Sequence, residues 1–258
     1  MSDDLLIERD GPVVTLTLNR PDAMNALSPE LLAELCGAFR KLKSDAEVLA
    51  VILTGNGRAF CAGLDLKAMA GHPEGLAAFA IHGDNDVAAA MAAFDRPIIV
   101  AVNGVAATGG FELALMGDIL IASDTARFAD THCRVGLAPG WGLSQKLSRL
   151  IGPSRAKEAH FTGNFISAEQ AAAWGMVSRV VPADNLLADA TQVAVDISSC
   201  VPETVKVYKQ LVDDGLASTL GAGMEMEKLV MTYANQGISG DTIGERRQGV
   251  QDRGKQQL

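Results

Sequence analysis

The stretch "PIIVAVNGVAATGGFELALMGDILIAS", residues 97–123, places two apolar runs on either side of a glycine-rich turn. The runs "PIIVAVNG" and "DILIAS" are short, continuous and rich in branched side chains, which is typical of strands buried on both faces. Between them, Gly109 and Gly110 open an apolar segment that is predicted to be a helix, with Glu112 in its first turn. Strand, turn, helix and strand in this order indicate a layered α/β protein with mainly parallel strands.

The flanking sequence continues this alternation. "PVVTLTLNRP" has the period-two pattern of a half-buried strand, and "VLAVILTG" is typical of another buried strand. Ser28 followed by Pro29 predicts the start of a helix that runs to about Lys43. Beyond "GMVSRVVP", Ala- and Leu-rich segments predict helices only. We therefore predict a main domain of residues 1–200 and a helical C-terminal region of residues 201–258.

Composition and charge exclude several classes of protein. The formal net charge of −9 argues against binding to nucleic acid or to anionic membranes. No apolar run approaches the roughly 20 residues that cross a bilayer, and the acidic N-terminus lacks the pattern of a leader. The 4 cysteines have no CxxC pair, so we expect reduced thiols in a cytoplasmic protein. His72 and His82 lack a third ligand at metal spacing, so no metal is expected.

The glycine turn does not match the common phosphate-binding or nucleophile templates. Gly104 to Gly110 has the spacing GxxxxGG, but Gly110 and Phe111 stand where a P-loop needs Lys and Ser or Thr. A GxGxxG dinucleotide-binding turn is also lacking. Ser144 lies in "GLSQK" and not in GxSxG, and Cys61 has no neighbouring base in sequence. Nucleotide hydrolysis and covalent catalysis by Ser or Cys are therefore not supported.

A second loop follows a strand in the same way as the glycine turn. "GRAFCAGLDL", residues 57–66, comes after "VLAVILTG", so its backbone can reach the same crevice at the carboxyl end of the sheet. Two such loops can supply two N–H donors to one developing negative charge. Glu112 would then face that pocket as a base. The alternative is that Glu112 only caps the helix N-terminus, where acidic residues are favoured.

Five stretches in order resemble the crotonase, or enoyl-CoA hydratase/isomerase, superfamily, and the resemblance covers nearly the whole chain. They are "NRPDAMNAL" (19–27), "GRAFCAGLDLKAM" (57–69), "PIIVAVNGVAATGGFELALMGDILIAS" (97–123), "RFADTHCRVGLAPGWG" (127–142) and "SAEQAAAWGMVSRVVP" (167–182). The resemblance implies a spiral of ββα units followed by a helical region that assembles trimers, often paired into hexamers.

The resemblance also implies the roles of individual residues. Leu64 and Gly109 match the two backbone N–H donors of an oxyanion hole that holds a thioester carbonyl. Glu112 matches the first of two glutamates that activate water, and the second falls on His132. An imidazole can donate or accept a proton near neutral pH, so His132 could substitute, or it could simply line the pocket. Asp130 is given no role, because a side chain two residues away can face elsewhere.

Further positions match the family's ligand groove. Gly140 lies in the turn whose backbone often helps to hold the catalytic water, and Trp141 is expected to shape the acyl pocket. Arg20 or Lys67 is expected to meet phosphate, although ordinary surface charge is the alternative. No cofactor is expected beyond the CoA moiety of the substrate. The residues matched to CoA binding are Asn19, Arg20, Met24, Asn25, Ala26, Asp65, Leu66 and Lys67.

Three functions follow from the resemblance. The first is an enoyl-CoA hydratase, a lyase that adds water reversibly to a 2-enoyl-CoA to give a 3-hydroxyacyl-CoA. The second is an isomerase or another enzyme that forms an acyl-CoA enolate, because one base and the same oxyanion hole would suffice. The third is an acyl-CoA-binding protein with weak or no hydration, because His132 replaces the second glutamate.

Overall fold

The computed structural model describes residues 3–256, which divide into two compact units with the boundary between Lys206 and Val207. The strands are β1 (Leu5–Asp10), β2 (Val13–Leu18), β3 (Ala50–Gly55), β4 (Ala59–Cys61), β5 (Ile98–Val102), β6 (Val105–Ala107), β7 (Ile119–Ser123), β8 (Arg127–Ala129), β9 (Ile166–Ser167) and β10 (Arg179–Val181). All of them belong to the first unit.

The helices alternate with these strands and then continue without them. They are α1 (Pro29–Ser44), α2 (Leu66–Gly71), α3 (Val87–Ala92), α4 (Gly109–Ala114), α5 (His132–Val135), α6 (Leu143–Ile151), α7 (Pro153–Thr162), α8 (Ala168–Ala173), α9 (Leu186–Ser198), α10 (Pro202–Leu216), α11 (Leu220–Ala234) and α12 (Gly240–Gln256). Short 3₁₀ helices cover Pro21–Ala23, Gly75–Phe79 and Ala183–Asn185. The unit boundary falls within α10, and α11 and α12 belong to the second unit.

Two sheets are built by one repeated connection. The larger sheet has the order β1-β2-β3-β5-β7-β10, and the smaller has the order β4-β6-β8-β9. Each of β3, β5 and β7 in the larger sheet leads directly into β4, β6 or β8 in the smaller one, and a helix follows. Pairing is parallel except between β1 and β2 and between β8 and β9. This is the expected spiral of ββα units, so the predicted fold is confirmed.

The corner between β5 and β6 ties one turn of the spiral to the preceding one. Asn103 accepts a hydrogen bond from the Gly55 N–H (3.1 Å) and donates one to the Gly57 carbonyl (2.9 Å). At Gly104 a Cβ atom would lie 2.2 Å from the Arg58 carbonyl oxygen. Only glycine allows the backbone at 104 to approach the Arg58 backbone this closely. The connection between the two sheets therefore depends on Gly104.

Both faces of the larger sheet are covered. Helix α1 begins at a cap in which the Ser28 side chain accepts the Leu31 N–H, and its buried face includes Phe39. On the opposite face, Ala190 and Ala194 of α9 join a second cluster of buried side chains from the strands. This double burial explains why β3, β5 and β7 are continuous apolar runs, and the predictions of these strands and of α1 are confirmed.

Strand β1 has no counterpart among the predicted elements. Only Leu5 of its 6 residues is buried. Because no face of the strand is buried along its length, the sequence "LLIERD" lacks the apolar–polar alternation that would indicate a strand. It is held by antiparallel pairing with β2 and by Arg9, which forms ion pairs with Asp45 (2.8 Å) and Glu47 (3.0 Å). An exposed edge strand that carries charges gives little periodic signal.

Helix α4 starts directly against the end of β4. A Cβ atom on Gly110 would lie 2.0 Å from the Cys61 carbonyl oxygen and 2.8 Å from the Cys61 Cβ. The backbones of the two elements are therefore in contact. Because Cys61 is followed by the 62–64 turn, this contact also fixes where that turn lies relative to α4.

Replacement of Gly110 by alanine should consequently destabilise the fold. We expect Gly110→Ala to lower the free energy of unfolding by about 1–3 kcal/mol, because the added methyl group overlaps backbone that cannot rotate away. The matched control is Gly37→Ala on α1, where an added Cβ meets nothing within 4 Å and helix propensity should add about 0.5–1 kcal/mol. Denaturant unfolding checks both, and equal stability of the two variants would contradict the prediction.

Candidate active site

Three short parallel strands of the smaller sheet end at one edge and deliver three turns to it. Strand β4 leads into the turn that contains Leu64, β6 leads into Gly109, and β8 leads into Asp130 and His132. Neighbouring parallel strands carry their carboxyl ends to the same side, so the turns meet there. The strands have only 3 residues each, and the site therefore lies at the edge of a small, heavily buried sheet.

The first two turns lie backbone to backbone. A Cβ built on Gly63 would lie 3.1 Å from the Gly109 nitrogen, and one built on Gly109 would lie 3.5 Å from the Leu64 nitrogen. In the β-bridge between Leu27 and Leu64, the Leu27 N–H donates to the Gly63 carbonyl (2.8 Å) and the Leu27 carbonyl accepts from the Asp65 N–H (3.0 Å). These two hydrogen bonds flank Leu64. Gly109 is the first residue of α4, where an N–H has no partner within the helix. The structure thus brings Leu64 and Gly109 together, as the sequence predicts.

Thr108 immediately precedes α4 in a strained conformation. Its φ of 54° and ψ of −115° are unusual for a residue with a side chain. The Thr108 N–H donates to the Ala129 carbonyl (2.8 Å), and the Thr108 hydroxyl bonds the Thr131 hydroxyl. The turn before Gly109 is therefore tied to the residue before His132. No sequence pattern singled out this threonine pair.

Glu112 is buried in the first turn of α4, with 3% of its surface exposed. Its Oε1 accepts hydrogen bonds from the backbone N–H groups of Trp141 (2.8 Å) and Leu143 (3.3 Å). Its Oε2 lies 3.7 Å from Nε2 of His132. One carboxylate oxygen is thus anchored while the other faces the imidazole. These partners lie outside α4 and Glu112 lines the cavity, so its side chain does more than cap its own helix.

His132 is held by Asp130 through two contacts. Oδ1 of Asp130 lies 3.0 Å from the His132 backbone nitrogen and 2.7 Å from Nδ1 of its ring. The other carboxylate oxygen, Oδ2, lies 2.6 Å from Nδ1 of His160 on α7. Asp130 and His132 are buried, with 2% and 6% of their surfaces exposed, and His160 is partly buried. Glu112, His132, Asp130 and His160 therefore form one continuous row of titratable groups.

The expectation that Asp130 has no part in the site is wrong. An aspartate can turn back to accept the N–H two residues later, and this turn directs the Asp130 carboxylate toward the His132 side chain. Burial alone would raise the pKa of Asp130, but the hydrogen bonds from His132 and His160 together hold that pKa below its ordinary value. Asp130 is therefore an ionised carboxylate at neutral pH. His160, 30 residues away in sequence, was not predicted.

A cavity of about 70 Å³ opens beside these groups. Its wall contains Glu112 and His132, the turns of Leu64 and Gly109, and Gly140, which is exposed. Trp141 closes one side, with its ring packed 3.3 Å from the Cβ position of Gly109. The remaining wall is mostly apolar. It is formed by Leu64, Leu66, Leu76, Ile81, Val135 and Leu137.

The residues matched to CoA binding fall into two groups. Leu66 and Lys67 are exposed at the start of α2, and Leu66 lines the cavity. Arg20 instead forms ion pairs with Asp65 (3.0 Å) and Asp4 (3.6 Å) and donates to the Ala26 carbonyl. These contacts hold its guanidinium within the loops and leave Lys67 as the better candidate for a phosphate.

The remaining positions of that segment shape the loops. The buried Asn25 side chain bonds the backbone of Arg20, Asn56 and Ala59. Met24 and Asn25 adopt left-handed conformations, with φ of 52° and 55°, and the Met24 carbonyl accepts the Ala62 N–H (3.0 Å). Asn19 donates to the Asp3 carbonyl (2.7 Å). These contacts fix the backbone beside the Leu64 turn.

Other classes of site find no support in the described part of the chain. Residues 3–256 contain no group of three His, Cys, Asp or Glu side chains that could hold a metal ion. Over the same residues, no helix combines the length and apolar character needed to cross a membrane. Burial raises the pKa of the Cys61 thiol to about 12, against a smaller opposite effect of the Gly63 N–H, so Cys61 stays protonated at neutral pH.

Comparison with known proteins identifies the class to which this fold and site belong. The family model described as enoyl-CoA hydratase/isomerase matches residues 8–248. A probable peroxisomal enoyl-CoA hydratase of Arabidopsis thaliana is 40% identical, over 86% of this chain and 82% of that protein. A short-chain-enoyl-CoA hydratase of Clostridium acetobutylicum is 39% identical, over 87% of each chain.

Comparison with a solved structure supports the same class. The chain is similar to the crystal structure of an enoyl-CoA hydratase from Bacillus anthracis, with a TM-score of 0.86, 35% identity and coverage of 98% of this chain and 96% of that one. The chain therefore belongs to the enoyl-CoA hydratase/isomerase family. The predicted family is confirmed by these similarities.

The burial of the cysteines predicts their reactivity. Cys36 and Cys61 are buried, and burial raises their thiol pKa values to about 11 and about 12, whereas Cys133 and Cys200 are exposed. At pH 8 we expect a thiol reagent to modify Cys133 and Cys200 first, since the thiolate is the reactive form. Peptide mass spectrometry after timed labelling, with a sample unfolded in denaturant as control, checks this. Rapid labelling of Cys61 in the folded protein would contradict it.

Proposed function

We propose that the protein is an enoyl-CoA hydratase, which adds water reversibly to the double bond of a 2-enoyl-CoA to give a 3-hydroxyacyl-CoA. The single observation that carries the proposal is the meeting of the Leu64 and Gly109 turns with the Glu112 carboxylate in one cavity. Membership of the family and the names of its similar members support it. No cofactor beyond the CoA moiety of the substrate takes part.

The first step is attack by water on C3 of the enoyl group. Glu112 takes one proton of the water through Oε2, the oxygen that the backbone donors leave available. A bond forms between the water oxygen and C3, and the π electrons move toward the thioester oxygen. The N–H groups of Leu64 and Gly109 stabilise the resulting enolate charge. Such preorganised donors are typically worth roughly 2.7–4 kcal/mol each.

The second step is protonation of C2. His132, as the imidazolium, donates the proton from Nε2, and the electrons of the enolate form the new C–H bond. The proton that Glu112 took from water then returns across the 3.7 Å between Oε2 and Nε2, which restores both groups. Water has been added without loss or gain of other atoms. Glu112 thus acts as the base of the first step and His132 as the acid of the second.

The position of Trp141 favours a short acyl chain. Its ring closes one side of the cavity next to Gly109, which leaves less room beside the reacting carbons. Lys67, which is exposed next to Leu66 in α2, would meet a CoA phosphate. The exposed apolar side chains of α11, such as Leu220 and Met224, are in keeping with assembly as a trimer or hexamer, and unpaired cysteines with a cytoplasmic location.

Substitution of Glu112 tests the mechanism. Glu112→Gln keeps an oxygen that can accept from Trp141 and Leu143 but cannot take a proton, so the fold should persist while kcat for crotonoyl-CoA falls by about 10²–10⁴-fold. His132→Ala should reduce kcat by a similar factor. Loss of the conjugated thioester's absorbance measures the rate.

The matched control is Glu158→Gln, at an exposed position of α7, which should keep full activity. Full turnover by Glu112→Gln would rule out the proposed base. Retention of CoA-ester binding without product in the unmodified protein would instead favour the acyl-CoA-binding function, and chromatographic product analysis would reveal an isomerase.

Trp141 should set the acceptable chain length. The backbone N–H of Trp141, not its side chain, bonds Glu112, so Trp141→Leu enlarges the pocket and leaves that hydrogen bond in place. We expect kcat/KM for an eight- or ten-carbon enoyl-CoA to rise relative to crotonoyl-CoA, by about tenfold or more, which corresponds to roughly 1.4 kcal/mol. Phe161→Leu, at an exposed position, serves as the control. An unchanged ratio in Trp141→Leu would contradict this role.

A further inference from the structure

The row of side chains behind His132 is not used by the hydration steps themselves. Asp130 accepts from the backbone and the ring of His132 through one oxygen and from the ring of His160 through the other. Because an ionised carboxylate can only accept, the Nδ1 atoms of both histidines must carry hydrogen. The Nε2 atom of His160 is buried without a hydrogen-bond partner among the described residues, so His160 contributes a single donor, which is directed at Asp130.

This arrangement determines which nitrogen of His132 faces the pocket. With Nδ1 committed to Asp130, only Nε2 is left to exchange a proton, and it is Nε2 that lies 3.7 Å from Glu112. His132 therefore presents to the pocket a nitrogen that can accept or donate a proton, beside the free oxygen of the Glu112 carboxylate.

We propose that Asp130 and His160 are positioning residues for hydration: Asp130 fixes the tautomer and orientation of His132, and His160 fixes the Asp130 carboxylate. This inference rests on the proposed function for its kinetic consequences, but its structural part can be measured without turnover. Asp130 also bears a full negative charge beside the ring, which stabilises the imidazolium that donates the proton. Neither residue lines the cavity.

The tautomers can be read directly by long-range ¹H–¹⁵N correlation spectra of the imidazole rings. The chain has only 4 histidines, so single substitutions assign them. At a pH where the rings are neutral, His132 and His160 should carry hydrogen on Nδ1. His72 is an internal control of the opposite kind, because its Nδ1 accepts the Glu74 N–H (3.2 Å). Hydrogen on Nε2 of neutral His132 in the unmodified protein would overturn the proposal, whatever reaction the protein catalyses.

A double-mutant cycle separates positioning from general support of the fold. Asp130→Asn should lower kcat for crotonoyl-CoA by at least about tenfold with KM changed less than about twofold, because the loss falls on the proton-transfer step. In the His132→Ala background, the same substitution should cost almost nothing further. An equal loss in both backgrounds would show a structural role and overturn the proposal, as would unchanged kcat in the single variant.

His160 offers a matched pair of substitutions. The side-chain amide of asparagine can place an N–H where Nδ1 of histidine lies, so His160→Asn should retain most of kcat. His160→Leu removes the donor at similar bulk and should lower kcat several-fold without change in the CoA-ester dissociation constant. Equal activity of the two variants would overturn the role of His160. If the unmodified protein does not hydrate crotonoyl-CoA but His132 and His160 carry hydrogen on Nδ1, only the proposed function is overturned.

Discussion

Helix α4 approaches strand β4 so closely that a methyl group on Gly110 would lie 2.0 Å from the Cys61 carbonyl oxygen, and the geometry of the site follows from this contact. It brings the turn after β4 and the first turn of α4 together, so that the N–H groups of Leu64 and Gly109 belong to one small region. The parallel pairing of β6 with β8 then adds the turn that carries His132. Main-chain packing, more than side-chain choice, therefore sets where charge can be stabilised.

Within this backbone arrangement, four side chains form a row in which each one contacts the next. Backbone N–H groups anchor one oxygen of Glu112, and the other oxygen faces His132. Asp130 holds the far side of the imidazole, and His160 holds Asp130. Burial makes each link matter, because a poorly solvated polar group depends on its neighbours for stabilisation. The Thr108–Thr131 contact joins this row to the strained turn before Gly109.

Much of this arrangement could be predicted from the sequence, because buried parallel strands leave continuous apolar runs and glycines mark turns. Strands β3, β5 and β7, helix α1 and the start of α4 all carry such patterns. Strand β1 and the three-residue strands of the smaller sheet do not, since one is exposed and the others are too short for periodicity. Asp130 was missed because its direction depends on a local side-chain turn. His160 was missed because only tertiary packing brings it near.

The origin of the two N–H donors in the main chain has a genetic consequence. A single codon change can erase the carboxylate of Glu112 or the imidazole of His132, but only a change to proline deletes an amide hydrogen. If these N–H groups bind a thioester oxygen, as the proposed function has it, a descendant of the gene could lose hydration and keep that binding. New reactions on the same class of compound could then arise by substitution of a few side chains around the retained backbone N–H groups of Leu64 and Gly109.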